Sequence, residues 1–147
     1  MATPSYVLRQ ATDTDFVFMR DTKLDGMEPY VRAVWGWDRG EQERRYREQF
    51  DPRNRHIVVC DGVAAGYIHV ERDADVVTLA GIYIIASMRN RGLGAALIQH
   101  VVEEAREGGK PVALRVLKPN PARRLYERMG FRVVDETTER YFMRRQP

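Results

Sequence analysis

The sequence predicts a mixed α/β fold, and two observations carry this prediction. Hydrophobic periodicity along the chain changes in the order strand, helices, three strands, helix, strand, helix and two strands. In the second half, a β-branched run passes through a glycine-rich segment into a strongly periodic helix and then into another apolar strand. Because the intervening segment is long enough to hold a helix, we expect a right-handed parallel crossover between these strands. At 147 residues the chain is expected to form one domain, residues 1–147.

The N-terminal part of the chain is predicted to form one strand followed by helices. The predicted elements are a strand over residues 6–10, a helix from about residue 16 to about residue 35, and a helix over residues 41–50. Residues 12–15, Thr-Asp-Thr-Asp, supply N-cap side chains for the first helix. We expect this helix to break near Gly26 and to resume with Pro29 in its first turn, where a missing N–H group does no harm.

The remaining elements alternate between strands and helices. They are strands over residues 56–60, 63–71 and 76–85, a helix over 92–107, a strand over 112–117, a helix over 121–129, and a final hairpin of 131–136 with 140–144. Asp61-Gly62 is the two-residue signal of a tight hairpin between the first two strands. Gly108-Gly109 is expected to end the longer helix.

The chain is mildly basic, with a formal net charge of +3 and a sequence pI near 9.2. Most arginines are interleaved with Asp and Glu, which is typical of a solvated surface rather than a polybasic tail. Only Arg89 and Arg91, beside the glycine-rich segment, have a local reason to meet phosphate. The aromatic and glycine signatures of RNA-binding modules are missing, so no nucleic-acid partner is expected.

Cysteine content and hydropathy predict a cytoplasmic protein. Cys60 is the single cysteine, so an intrachain disulfide is impossible, as is usual in a reducing compartment. The N-terminal residues lack the basic-then-apolar order of a signal peptide. The longest uncharged stretch, residues 76–88, is shorter than the ~18 residues that a membrane span needs. We therefore expect neither secretion nor membrane insertion.

The most informative segment joins a predicted strand to the helix over residues 92–107. The run Arg89-Asn90-Arg91-Gly92-Leu93-Gly94-Ala95 follows a β-branched stretch and opens the helix. Glycines allow a tight turn in which several amide N–H groups point into one concavity, backed by the positive end of the helix dipole. This arrangement suits a diphosphate.

Two familiar nucleotide-binding motifs fit this loop poorly. A Walker loop needs a Lys-Ser/Thr pair after its second glycine, where this chain has Ala95-Ala96. The dinucleotide fingerprint needs a third small residue three positions after the second glycine, where Leu97 stands. The spacing Arg89-x-x-Gly92-x-Gly94 instead matches the Q/R-x-x-G-x-G/A pattern of a coenzyme A pyrophosphate loop.

A second motif covers residues 120–131, Asn-Pro-Ala-Arg-Arg-Leu-Tyr-Glu-Arg-Met-Gly-Phe. It matches the pattern N-x-A-x-x-L-Y-x-x-x-G-F. The two motifs, in this order and each on the expected element, resemble the two signatures of the GNAT superfamily of N-acetyltransferases. The resemblance implies a GNAT-like fold, a mixed and mostly antiparallel sheet of about six to seven strands with a central parallel pair, flanked by helices.

The resemblance also implies a binding site for acetyl-coenzyme A. The backbone of one strand should pair with the pantetheine arm if that strand splays from its neighbour, since its unpaired amide groups then need partners. The residues implied for this pairing are Ile82, Tyr83 and Ile84. Pyrophosphate should be held by the amides of Asn90, Arg91, Gly92, Leu93, Gly94 and Ala95, with charge from Arg89 and Arg91. Asn120 and Tyr126 should face the reacting end.

Catalysis by this family implies a general acid and a base. Tyr126 is the candidate acid that protonates the leaving thiolate, while a buried packing tyrosine is the plain alternative. An alkylammonium must lose a proton before attack, either to a side chain or to ordered water. The predicted strand over residues 76–85 has no carboxylate, so the family's usual glutamate is absent. His69 and Glu71, which share a face of the preceding strand, are substitutes or else surface residues.

The acceptor side is expected near the first helices. Glu28, Tyr30, Trp35 and Trp37 combine a carboxylate with aromatic rings, which suits a cationic amine, although aromatic residues at helical spacing are often core. The resulting hypothesis is an N-acetyltransferase that acetylates a primary amine of a small molecule by direct attack. Alternatives are acetylation of a peptide N-terminus or a lysine, and a non-catalytic acyl-coenzyme A-binding module. The final hairpin offers an edge for a possible homodimer.

Overall fold

The computed structural model describes residues 3–147 of the chain. Within this range the strands are β1 (Val7–Gln10), β2 (Arg55–Cys60), β3 (Val63–Arg72), β4 (Val77–Ile84), β5 (Val112–Leu117), β6 (Arg132–Glu136) and β7 (Arg140–Arg145). The α-helices are α1 (Phe16–Trp35), α2 (Arg39–Gln49), α3 (Leu93–Glu107) and α4 (Ala122–Arg128). Each predicted strand and helix is present, and the observed ends differ from the predicted ones by one or two residues at most.

All the strands form one sheet in the order β1-β2-β3-β4-β5-β7-β6. Neighbouring strands are antiparallel except for the central pair, β4 and β5, which is parallel. Helix α3 makes the crossover between these two strands, as parallel pairing requires. The predicted fold class, a mostly antiparallel mixed sheet with a central parallel pair, is confirmed.

The central pair separates soon after it begins. Strands β4 and β5 are paired only at Val77–Val112 and Thr78–Ala113. Beyond these positions the edge of β4 that faces β5 has no strand partner, while its other edge stays paired with β3 as far as Ile84. A bulge interrupts the β3–β4 register between His69 and Val70. The structure therefore contains the splayed strand edge that the sequence-based expectation required.

Helices cover the two faces of the sheet with separate cores. On one face, α3 buries Leu97 and Val101 against Ile68 and Val70 of β3. On the other face, Met19 of α1 packs on β2 and β3 in a smaller cluster. Full burial of one such aliphatic side chain contributes about 1.5–3 kcal/mol to stability. None of the helices in residues 3–147 has an apolar stretch of the length that a bilayer span requires.

The predicted break in the first helix is wrong. Helix α1 runs without interruption through Gly26 and Pro29. Proline removes one helical hydrogen bond, the one that the Asp25 carbonyl would accept, but both Asp25 and Pro29 are exposed and water can serve that carbonyl. Helix α1 instead gains stability from its packed face, where Met19 and Leu24 are buried.

Candidate active site

The loop between β4 and α3 has the geometry of an anion-binding turn. A short 3-10 turn, Ala86–Met88, is followed by left-handed backbone at Asn90 (φ 61°) and at Gly92 (φ 84°). The first helical hydrogen bond of α3 runs from the Ala96 N–H to the Gly92 carbonyl, 3.1 Å. The amides of residues 93–95 therefore have no acceptor within the helix. These N–H groups and the dipole of α3 create positive potential at the loop.

The two arginines of the loop make different contacts. The Arg89 Nε donates to the Ile84 carbonyl at 2.8 Å, and its guanidinium lies against Gly26 of α1, 3.5 Å from where a Cβ would stand. It also lines a cleft of about 300 Å³ between α1 and the loop. Arg91 is exposed, with its Nη1 3.3 Å from the Met88 sulfur. Arg89 thus ties the end of β4 to α1, and both arginines are exposed beside the loop.

Tyr83 dominates the α1 side of β4. Its ring folds back over Gly81, where an added methyl group would lie 2.5 Å from a ring carbon. The Tyr67 ring of β3 lies beside it, with centroids 5.0 Å apart, and the Tyr67 and Tyr46 hydroxyls are 3.3 Å apart. Burial raises the pKa of Tyr83, and the nearby Tyr126 hydroxyl contributes to the same shift. The predicted pantetheine strand, residues 82–84, therefore carries one half of an aromatic wall, which consists of the Tyr83 and Tyr67 rings and lies close to Tyr126.

Tyr126 of α4 is held as a protonated phenol. Its ring meets that of Phe131 edge-on, with centroids 5.8 Å apart, at the C-terminal end of the second motif. Burial raises the pKa of Tyr126 to about 12, so the hydroxyl carries its proton at neutral pH. Asn120 stabilises the start of α4, because its Oδ1 accepts a hydrogen bond from the Ala122 N–H at 2.9 Å. This bond satisfies one of the free amides at the start of the helix.

His69 and Glu71 form a hydrogen-bonded pair on β3. The His69 Nε2 lies 2.6 Å from Glu71 Oε1, and Glu71 Oε2 accepts from the Asn54 side chain at 2.8 Å. Burial lowers the pKa of His69, although the bond to Glu71 opposes that shift. Contact with His69 in turn lowers the pKa of Glu71, which keeps it ionised. Because a carboxylate only accepts, the neutral imidazole donates from Nε2 and leaves Nδ1 as a proton acceptor.

Two of the four predicted acceptor residues, Glu28 and Trp35, are engaged in contacts within the chain. Glu28 pairs with Arg32 one turn along α1 at 2.7 Å. Trp35 is 53% exposed, and the Arg140 guanidinium of β7 lies 5.1 Å from its ring centroid. Tyr30 and Trp37 are half-buried. The structure thus gives Glu28 and Trp35 cationic partners from the chain itself.

Sequence reasoning missed three cations on the α1 side of the sheet. Lys23 of α1 is half-buried, with its Nζ 5.7 Å from the Tyr46 ring centroid and 5.6 Å from that of Tyr83. Burial lowers the pKa of Lys23, and the charges of Arg55 and Arg115 lower it further. Side chains alternate between the two faces of the sheet along residues 112–117. Arg115 therefore points to the face opposite that of its buried neighbours, Leu114 and Val116, and this orientation could have been predicted from the sequence. The convergence with Lys23 depends on tertiary packing.

Comparison with known proteins was made by family model, by sequence and by structure. A family model described as "Acetyltransferase (GNAT) family" matches residues 21–131. The search of curated proteins gave no significant match.

Solved structures share the fold at low sequence identity. A PaiA N-acetyltransferase from Thermoplasma acidophilum in complex with coenzyme A is 15% identical, with a TM-score of 0.80 and coverage of 97% of this chain and 99% of that chain. An acetyltransferase from Thermus thermophilus is 17% identical, with a TM-score of 0.75 and full coverage, 100%, of both chains. Naa50 from Arabidopsis thaliana, in complex with the bisubstrate analogue CoA-Ac-MVNAL, is 14% identical, with a TM-score of 0.65 and coverage of 97% and 99%.

Proposed function

Because the chain belongs to the acetyltransferase (GNAT) family, we propose that it acetylates a primary amine of a small molecule by direct attack of that amine. Family membership makes the chain an acyltransferase with acetyl-coenzyme A as its donor, which confirms that part of the sequence-based hypothesis. The observation that carries the proposal is the splayed β4 edge, which opens between the amide-rich loop and Tyr126.

The donor side of this site suits the chemistry of coenzyme A. Residues 82–84 lie on the part of β4 that has lost its pairing with β5, so an amide-containing arm can supply the missing partners. The free amides of residues 93–95 and the left-handed turns at Asn90 and Gly92 suit a pyrophosphate. Arg89 and Arg91, both exposed, add positive charge beside them, and Arg89 also ties the loop to the end of β4. Bound there, acetyl-coenzyme A supplies an activated thioester.

His69 is the proposed general base. The ammonium of a free alkylamine has a pKa near 10, so it must lose a proton before it attacks. The His69 Nδ1 can take that proton, because the bond from Nε2 to Glu71 fixes the tautomer. Its lowered pKa keeps the imidazole neutral at pH 7. Glu71 then stabilises the imidazolium that forms, as a carboxylate partner does in other acid–base pairs.

Tyr126 is the proposed general acid. Its phenol is protonated at neutral pH because burial raises its pKa to about 12. As the nitrogen–carbon bond forms and the carbon–sulfur bond breaks, the Tyr126 hydroxyl can donate to the departing sulfur. The two proposed groups thus divide the proton transfers: His69 takes one proton from the ammonium, and Tyr126 gives one to the thiolate. The second proton, which the nitrogen loses as the amide forms, returns the Tyr126 phenolate to the phenol, and His69 releases its proton to solvent.

A compact acceptor is favoured by the contact between Trp35 and Arg140. This contact joins the end of α1 to the start of β7 on the sheet face that carries His69. Because this contact spans from α1 to β7 over that face, we take it to favour a compact acceptor over an extended peptide. The four predicted acceptor residues, the single-domain organisation, the cytoplasmic location and the homodimer stay predictions. The four residues are Glu28, Tyr30, Trp35 and Trp37.

The proposal is tested by thiol release from acetyl-coenzyme A in the presence of amino acids, polyamines, aminoglycosides and short peptides, with mass detection of the product. Release with a small amine, and an N-acetylated product, is the expected result. Release with peptides alone supports the alternative acceptor class. Coenzyme A binding without release across the whole panel favours the non-catalytic module and overturns the proposal.

A further inference from the structure

A row of residues from neighbouring strands crosses the α1 face of the sheet, in the region where β4 and β5 separate. Arg55 of β2 is paired with His69 of β3, and His69 is paired with Gly81 of β4. Arg115 of β5 lies two residues beyond Ala113, the last β5 residue paired with β4, and so reaches the same level on the same face. In the strand order, Arg55 lies on one side of His69 and of the Tyr83 ring over Gly81, and Arg115 lies on the other side.

Lys23 of α1 lies above this row. Its Nζ is within 6 Å of the centroids of two tyrosine rings, 5.7 Å for Tyr46 and 5.6 Å for Tyr83. Cation–π contact of this kind holds an ammonium in place without neutralising its charge. Arg55 and Arg115 both lower the pKa of Lys23, so the charges of both act on its ammonium group.

These three cations lack a carboxylate partner among residues 3–147. No Asp or Glu oxygen of that range lies within 4.0 Å of a charged nitrogen of Lys23, Arg55 or Arg115. The Arg55 Nη1 donates only to the Arg53 carbonyl, at 2.8 Å. Arg39, by contrast, bridges three carboxylates. Lys23 is half-buried, and a positive charge held at such a position without a close carboxylate is unfavourable, so a bound anion relieves it.

We propose that Lys23, Arg55 and Arg115 bind a carboxylate or phosphate group of the acceptor, so that the substrate is an anionic amine. This inference rests on the proposed function and names the acceptor class for the same site. An anion held by these side chains brings the attached amine next to His69, which lies in the same row. The surrounding positive charge also disfavours the ammonium form and so assists its deprotonation. A polyamine, which carries only positive charge, should be rejected by like-charge repulsion.

The test uses matched pairs of amines that differ in one anionic group. Thiol release is measured with L-amino acids and their carboxamides, with O-phosphoethanolamine and ethanolamine, and with spermidine. For at least one pair, we expect the anionic member to have a kcat/KM about tenfold or more above its neutral partner, the size that a charge-assisted hydrogen bond gives. The pair that shows the preference distinguishes carboxylate from phosphate. Equal values within every pair, or spermidine as the best acceptor, overturn the inference and leave acetyl transfer intact.

Arg115→Gln tests the site itself, and Arg106→Gln is its control. Arg115 is exposed, so its loss should not unfold the chain, and Arg106 is an exposed arginine on α3, which packs on the opposite face. Arg115→Gln should raise the KM of the anionic amine about tenfold and leave that of the neutral partner unchanged. Arg106→Gln should change neither. An equal rise for both partners would overturn the assignment.

Failure of the proposed function has a different signature, namely no thiol release with any amine. In that event, calorimetric titration of coenzyme A-saturated protein with the same pairs still decides the anion site. Stronger binding of an anionic member, lost in Arg115→Gln and kept in Arg106→Gln, supports it. Binding that ignores the anionic group contradicts it.

Discussion

Tyr126→Phe should slow the chemical step and leave donor binding unchanged. The substitution removes the hydroxyl and keeps the ring that packs on Phe131 at 5.8 Å between centroids. The Tyr126 hydroxyl has no hydrogen-bond partner within residues 3–147, so its loss leaves no buried group unsatisfied. We expect the free energy of unfolding to change by less than about 1 kcal/mol.

The size of the effect follows from the proton affinity of the phenol. Burial raises the pKa of Tyr126 to about 12, whereas an ordinary thiol has a pKa of about 8.5. Complete transfer of the proton to a free thiolate is therefore uphill by about 3.5 pKa units, or about 5 kcal/mol. The proton can therefore move to the sulfur only as the carbon–sulfur bond breaks. This places the rate enhancement from Tyr126 at the lower end of the range that general acid catalysis gives. We expect kcat to fall about a hundredfold.

The assay is steady-state thiol release, with calorimetry for the affinity of acetyl-coenzyme A. Tyr6→Phe is the matched control, because Tyr6 is another partly buried tyrosine, packed on the α3 side of the sheet. It should keep the wild-type kcat. Full turnover in Tyr126→Phe would refute the acid assignment, and a fall in donor affinity with unchanged kcat would make Tyr126 a binding residue instead.

Three further predictions concern the base, the loop and the aromatic wall. His69→Gln should lower kcat/KM about a hundredfold and abolish the acid limb of the pH profile. In the wild type this limb should lie below pH 6.5, because burial lowers the pKa of His69. An unchanged pH profile would refute the assignment of His69 as the base. Gly92→Ala should weaken the binding of coenzyme A about tenfold, as measured by calorimetry, since a side chain at φ 84° costs about 1–2 kcal/mol. Wild-type affinity would contradict the assignment of the loop to pyrophosphate binding. Gly81→Ala should lower Tm by several degrees, because the new methyl group meets the Tyr83 ring and overpacking costs about 1–3 kcal/mol. Gly94→Ala, whose methyl group would meet no atom within 4 Å, should not lower it.

Local patterns predicted the loop well because its chemistry is local. Glycines at positions 92 and 94 and the following apolar period determine both the turn and the start of α3, and the left-handed Gly92 requires no information from elsewhere in the chain. The same reasoning was wrong at Gly26 and Pro29. There the local signals for a break are outweighed by tertiary packing of the buried face of α1.

The cation site could not be predicted because it depends on register. Arg55, His69 and Gly81 meet only through strand pairing, and Arg115 joins them across the splayed β4–β5 edge. Lys23 reaches the same place from a helix far along the chain. Alternation along each strand shows which face of the sheet a side chain occupies. It does not show which residues of neighbouring strands lie side by side, because that depends on the register of the strands. The Glu28 and Trp35 contacts with arginines are likewise invisible in a single sequence.

We propose that coenzyme A binds along the splayed edge of β4 and at the start of α3. Nuclear magnetic resonance of the backbone amides during titration with coenzyme A tests it most directly. We expect the largest saturable shifts at residues 82–84 and 90–95, next to the unpaired strand edge and the free helix amides. Binding that leaves these amides unmoved, or no binding at all, would contradict it.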